Sequence, residues 1–127
     1  MLQWGALIAL FAVTVLVWAV PSSSNLSVTF IDVGQGDSIL IEGPMGVQVL
    51  VDAGPDSSAV RALGSHLPFF DRTLDAIVLT HPDQDHIGGA VDILDRYNVE
   101  NIIEPSIAND TRAWVATVEA VEDEVQG

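Results

Sequence analysis

LDAIVLTHPDQDHIGGAVDILDRY, Leu74–Tyr97, sets the fold class. Its first seven residues are an apolar run bounded by Asp71-Arg72 and by His81-Pro82, which suits a short strand buried on both faces. Gly88-Gly89 then opens a helix from Ala90 to about Tyr97, with Val91, Leu94 and Tyr97 on its apolar side and Asp92, Asp95 and Arg96 facing away. Between strand and helix lies HPDQDHIGG, His81–Gly89, expected to be a tight loop at the C-terminal end of the strand. Mixed α/β folds place their sites there.

That loop concentrates His81, Asp83, Asp85 and His86, all potential metal ligands. Imidazole and carboxylate together suit Zn, Mn or Fe, and two ligand pairs this close can serve two ions about 3.5–4 Å apart. Any one of these residues alone would read as a helix cap or a surface group. Together, flanked by a strand and Gly-Gly, they read as a metal site.

Upstream the pattern has period two. In LSVTFIDVG, Leu26, Val28 and Phe30 alternate with Ser27, Thr29 and Ile31, predicting a strand with at least one buried face. Gly34-Gln35-Gly36-Asp37 breaks it; Ser38–Glu42 is a second strand, Gly43-Pro44-Met45-Gly46 a hairpin turn, and Val47–Asp52 a third strand. This is an antiparallel meander. A helix follows over about Ser57–Ser65, with Ala59, Val60 and Leu63 on one face. Downstream, Val99–Pro105 reads as a fifth strand, and Asp110 or Thr111 caps a last helix carrying Trp114, Val115, Val118 and Val121. Trp114 reads as core rather than as a platform for a base, and His66 as a surface histidine.

The N-terminus is different in kind. Trp4–Val20 is apolar and uncharged, then Pro21 and a Ser-rich stretch follow. At about 1.5 Å per residue it spans about 25 Å, near a thin bilayer core, with Trp4 and Trp18 at interfacial positions. It reads as a single membrane segment, with a secretory signal peptide and a buried core helix as competing readings. The amino group and the acidic body place the N-terminus inside and the domain outside. The expected organisation is an anchor or signal over residues 1–21, a linker over 22–25 and one domain over 26–127.

Composition bounds the chemistry. There is no cysteine, so any metal is held by His and carboxylate. The 18 acidic residues against 4 basic ones give a net charge of -14, which repels polyanions unless salt or bound metal offsets the field. An acidic solvated surface and adaptation to high salt are the two readings of that balance.

THPDQDHIGG resembles the His-x-His-x-Asp-His signature of the metallo-β-lactamase superfamily. FIDVGQGDSILIE, residues 30–42, followed by VLVDAG, residues 49–54, is similar to the opening of the metallo-β-lactamase domain of ComEC-type competence proteins and their small stand-alone relatives. The resemblance implies an αββα sandwich, a dinuclear metal site (Zn or Mn) at the edge between two sheets, and hydrolysis by metal-activated water. It implies that His81 and Asp83 hold one ion and that Asp85 and His86 hold the other, with Asp85 the candidate catalytic residue. Asp83 stands where the superfamily usually has a histidine, and its oxygen moves metal preference from Zn toward Mn or Mg. Asp52, at the end of VLVD, is a candidate acceptor for a ligand histidine, against a plain strand-end turn former. Asp37 and Gln35 lie in a loop that the resemblance places near the pocket, though an Asx turn also explains Asp37.

The implied substrate is a phosphodiester, DNA being taken up at the cell surface. The family pattern also calls for a histidine, a bridging aspartate and a last histidine after a second set of strands. No histidine follows His86. The expectation is therefore the N-terminal half of the sandwich, completed by a longer chain or a partner half, binding metal weakly and hydrolysing little alone. The competing readings are a non-catalytic, membrane-anchored binding or assembly module and a hydrolase of another ester or thioester.

Overall fold

The computed structural model describes Phe11 and residues 25–106 and 110–126. The expected membrane segment lies outside the described residues apart from Phe11. Among the described residues no helix is long and apolar enough to cross a membrane.

The period-two stretches form the meander β1 (Ser27–Phe30), β2 (Ile39–Glu42) and β3 (Gln48–Val51), paired antiparallel. β3 then pairs in parallel with β5 (Ala76–Val78), and β5 in parallel with β7 (Ile102–Ile103), giving the order β1-β2-β3-β5-β7. β4 (Thr73–Leu74) and β6 (Asn98–Val99) make a separate two-stranded parallel sheet. The apolar runs expected as single strands are thus each divided between two sheets. Asp75 marks the change: its N–H donates to Gln48 O at 2.8 Å, its carboxylate accepts the Gln48 N–H at 2.6 Å, and its carbonyl accepts the Asn101 side-chain amide at 2.9 Å. The carboxylate substitutes for a ladder carbonyl, so the chain leaves one sheet for the other with its polar groups paired.

Register separates the faces of the large sheet. Leu40, Leu50 and Ile77 lie opposite one another in adjacent strands and are fully buried against the helical side. The other face carries Val28, Ile41, Val49 and Ala76 in one row and Phe30, Ile39, Val51, Val78 and Ile103 in the next. Every one of these is half-buried or exposed, Phe30 at 78%. The buried face expected for Leu26, Val28 and Phe30 is therefore not formed among the described residues. β1 is an edge strand, and these side chains fall on the uncovered side.

Helix α1 (Ser58–His66) buries Ala59, Val60 and Leu63 as the pattern predicts, and leaves His66 exposed. HPDQDHIGG is not all loop: Asp83 stands at the start of a helical turn, α2 (Gln84–Ile87), where its backbone carbonyl accepts the His86 and Ile87 N–H groups and its side chain makes no capping bond. In α3 (Ala90–Leu94) the buried residues are Ala90, Ile93 and Leu94, joined by Tyr97 after the helix, while Val91 is only half-buried. Helix α4 (Arg112–Gln126) packs on α2 and α3. The Thr111 hydroxyl accepts the Trp114 N–H at 3.3 Å and so caps it. Trp114 joins the core, but Thr117 takes the buried position and Val115 turns out to solvent.

Candidate metal centre

Three loops meet at one edge of the large sheet, past the C-terminal ends of β1, β3 and β5. The β1–β2 loop brings Gly34–Asp37, the chain after β3 brings Asp52–Gly54, and the segment after β5 brings Thr80–His86. Backbone bonds tie them together. Asp37 N–H donates to Asp85 O at 3.3 Å, Gly54 N–H to Asp37 O at 3.0 Å, Ala53 N–H to His86 O at 2.7 Å, and Gly89 N–H to Gly54 O at 3.0 Å.

The glycines make this approach possible. Gly36 has φ 106, and a Cβ there would overlap the backbone carbonyl of Asp85. A Cβ at Gly89 would meet the carbonyls of Ala53 and Asp56. The sequence GQGD and the pair Gly88-Gly89 thus serve the same junction from opposite sides.

Beneath the junction lies Asp52, 2% exposed and with a left-handed φ of 58. Such a backbone is uncommon outside glycine, and Asp tolerates it better than most residues. The Asp52 carboxylate accepts the Thr80 N–H at 2.8 Å and the Thr80 hydroxyl at 2.7 Å, and its Oδ2 is 2.9 Å from His86 Nδ1. The buried charge is compensated by this set of hydrogen bonds.

His86 Nε2 is left toward Asp85, 3.9 Å from its Oδ2. His81 Nε2 stands 3.6 Å from Asp83 Oδ2. The two imidazoles lie side by side, with centroids 3.7 Å apart and planes at 46°. The structure therefore brings His81 to Asp83, Asp85 to His86, and one histidine to the other. Asp37, 68% exposed at its side chain, reaches to 3.8 Å from His86 Nδ1, whereas Gln35 is exposed on the same loop.

The donor set fits a divalent cation. The two Nε2–carboxylate separations are too long for hydrogen bonds, yet two bonds of about 2.0–2.2 Å to one ion cover them. Ligand atoms of Asp37, Asp52 and His86 also lie within 4.8 Å of one another. Both Asp52 oxygens are already taken by Thr80, and Oδ2 also faces His86, so Asp52 suits orientation of the histidine better than direct ligation. Asp56, whose backbone carbonyl lies against Gly89, has its carboxyl held below the usual carboxylate range by the Ser58 hydroxyl and the Ser58 N–H.

The pattern of the Metallo-beta-lactamase superfamily matches residues 31–124, from the end of β1 into α4. The chain belongs to that superfamily. Its resemblance to ComEC-type competence proteins is matched by two relatives. ComE operon protein 3 of Bacillus subtilis (strain 168) is 35% identical over 103 residues, covering 65% of this chain. Recombination protein 2 of Haemophilus influenzae (strain ATCC 51907 / DSM 11121 / KW20 / Rd) is 35% identical over 106 residues, covering 80% of it. The matched segment spans 13% of the length of each relative. Membership in the superfamily implies divalent metal binding.

Sequence reasoning did not single out Thr80. Its signal was its position alone, the residue between a buried strand and the first histidine.

Proposed function

We propose that this chain carries metal ligands of a phosphodiester hydrolase that acts on DNA during uptake, with His81 and Asp83 on one divalent ion and Asp85 and His86 on a second. The observation that supports this reading best is the pairing of each histidine with its own carboxylate at the sheet edge. Bound Zn or Mn would supply a water of lowered pKa and a clamp for phosphate oxygens. The protein's own part is to hold the ligands: Asp52 orients His86, and Asp37 and Gly36 fix the backbone of Asp85. Asp85 is the catalytic residue of this reading because it contributes the carboxylate nearest His86 Nε2.

The uncovered apolar sheet face supports an αββα arrangement in which a second sheet layer packs there, supplied by a partner half or a longer chain. The name Recombination protein 2 supports DNA as the substrate class. Residues 4–20 anchor the chain in the membrane with the domain on the outer side.

One observation favours a second reading. A net charge of -14 opposes binding of a polyanion, which suits an uncharged ester or thioester substrate, or a module that binds without catalysis. The test is incubation of the Mn-loaded protein with single-stranded DNA and, separately, with a carboxylic ester. Slow DNA cleavage that EDTA and Asp85→Ala abolish supports the first reading. Ester hydrolysis alone supports the second.

A further inference from the structure

We propose that Thr80 is a positioning residue that carries the influence of Asp52 to His81, so that a single buried carboxylate sets the tautomer of both histidines. The inference rests on the metal-site reading above for its purpose, but its geometry stands without metal. The Thr80 hydroxyl has one hydrogen. Its oxygen is 2.7 Å from Asp52 Oδ2 and 3.0 Å from His81 Nδ1. An ionised carboxylate only accepts, so the hydroxyl hydrogen goes to Asp52. What the hydroxyl then turns to His81 is a lone pair, and a contact of this length needs a hydrogen on His81 Nδ1.

His86 meets the Asp52 carboxylate without an intermediary. Its Nδ1 is 2.9 Å from Asp52 Oδ2, so Nδ1 carries the hydrogen there as well. Both rings then present a bare Nε2 lone pair, His81 toward Asp83 and His86 toward Asp85. That is the form in which a neutral imidazole ligates a metal. The carboxylate sits beneath one ring and is one hydroxyl removed from the other.

Thr80 is suited to the task on other grounds. Its N–H also donates to Asp52 Oδ1, at 2.8 Å, so the backbone stays docked when the hydroxyl is removed. The residue itself is exposed, so a change to valine leaves no buried cavity.

The test is the tautomer state of the histidines in the metal-free full chain, read by long-range 15N–1H correlation at a pH where the rings are neutral. The sequence has three histidines, and exposed His66 is the internal reference for an unconstrained ring. The expected result is the Nδ1–H form for His81 and His86 in the wild type. Thr80→Val should release His81 to the pattern of His66 while His86 keeps Nδ1–H; Thr80→Ser should restore His81; Asp52→Asn should disturb both. Nε2–H at His81 in the wild type, or a His81 tautomer indifferent to Thr80→Val, overturns the proposal. A parallel titration with Mn2+ separates the two claims. Loss of metal binding with the tautomers as described would defeat the metal-site reading and leave the relay standing.

Discussion

Gly36 lies against the backbone carbonyl of Asp85, in a conformation with φ 106 that L side chains rarely adopt. Two motifs separated by almost fifty residues of chain are therefore locked by a contact that admits no side chain on one partner. Gly36→Ala is expected to destabilise the protein by about 1–3 kcal/mol from overlap and backbone strain together. Gly34 is the control: it has φ 81 but nothing within 4 Å of an added Cβ. Gly34→Ala should cost only the left-handed backbone term, about 1–2 kcal/mol, and should leave metal affinity unchanged. Urea melts of the two variants decide this, and equal losses would show that the contact with Asp85 does not matter.

The faces of the large sheet should respond unequally to truncation. Leu50 is fully buried and Val49, beside it on β3, points to the uncovered side. Leu50→Ala should cost about 2–5 kcal/mol, as core leucines do. Val49→Ala should cost less than about 1 kcal/mol, because its side chain is only partly removed from water. Similar losses in chemical denaturation would mean that the second face is covered in solution.

Asp71 predicts a pH dependence. Burial works to raise its pKa, but hydrogen bonds from the Thr73 hydroxyl, the Gln48 amide and the Thr73 N–H outweigh it and hold the group below its ordinary value. A carboxyl depressed in the folded state stabilises above its unfolded pKa and loses that contribution as pH falls through the folded value. Wild type should thus melt above Asp71→Asn at pH 7, and the gap should close progressively below about pH 4. A gap that widens on acidification would reverse the sign.

Much of the site was legible because its chemistry is concentrated in short motifs. His81, Asp83, Asp85 and His86 fall in six consecutive positions, and the strand before them and the glycines after them fix where they sit. What the sequence does not display is pairing at a distance. For Asp52 the sequence offers two readings, acceptor for a ligand histidine or strand-end turn former, and only folding, which places it 2.9 Å from His86, decides for the first and names the histidine. Thr80 is only a β-branched residue at a strand's end until its hydroxyl is found between Asp52 and His81. In α3, Leu94 and Tyr97 are buried as the periodicity predicts, but Ala90 and Ile93 rather than Val91 complete the buried face, and an alanine carries little weight as a hydrophobic anchor. The divided strands escaped notice for a related reason: Asp75 and Asn101 interrupt apolar runs too briefly to register as turns, yet their side chains bond across the break. In α4, Thr117 rather than Val115 is buried, a choice made by packing on α2 and α3 that composition alone does not reveal.

The central claim is that the two histidine–carboxylate pairs form a divalent-cation site, and calorimetric titration of Mn2+ and Zn2+ into the full chain tests it most directly. An acidic surface collects cations weakly wherever it is, so the comparison with His86→Gln carries the weight. The account predicts saturable binding in the wild type and a loss of at least about 10-fold in affinity in the variant, since neither Asp85 nor Asp52 can replace the missing Nε2. Equal affinity in the two proteins, or no saturable binding in the wild type, would contradict it.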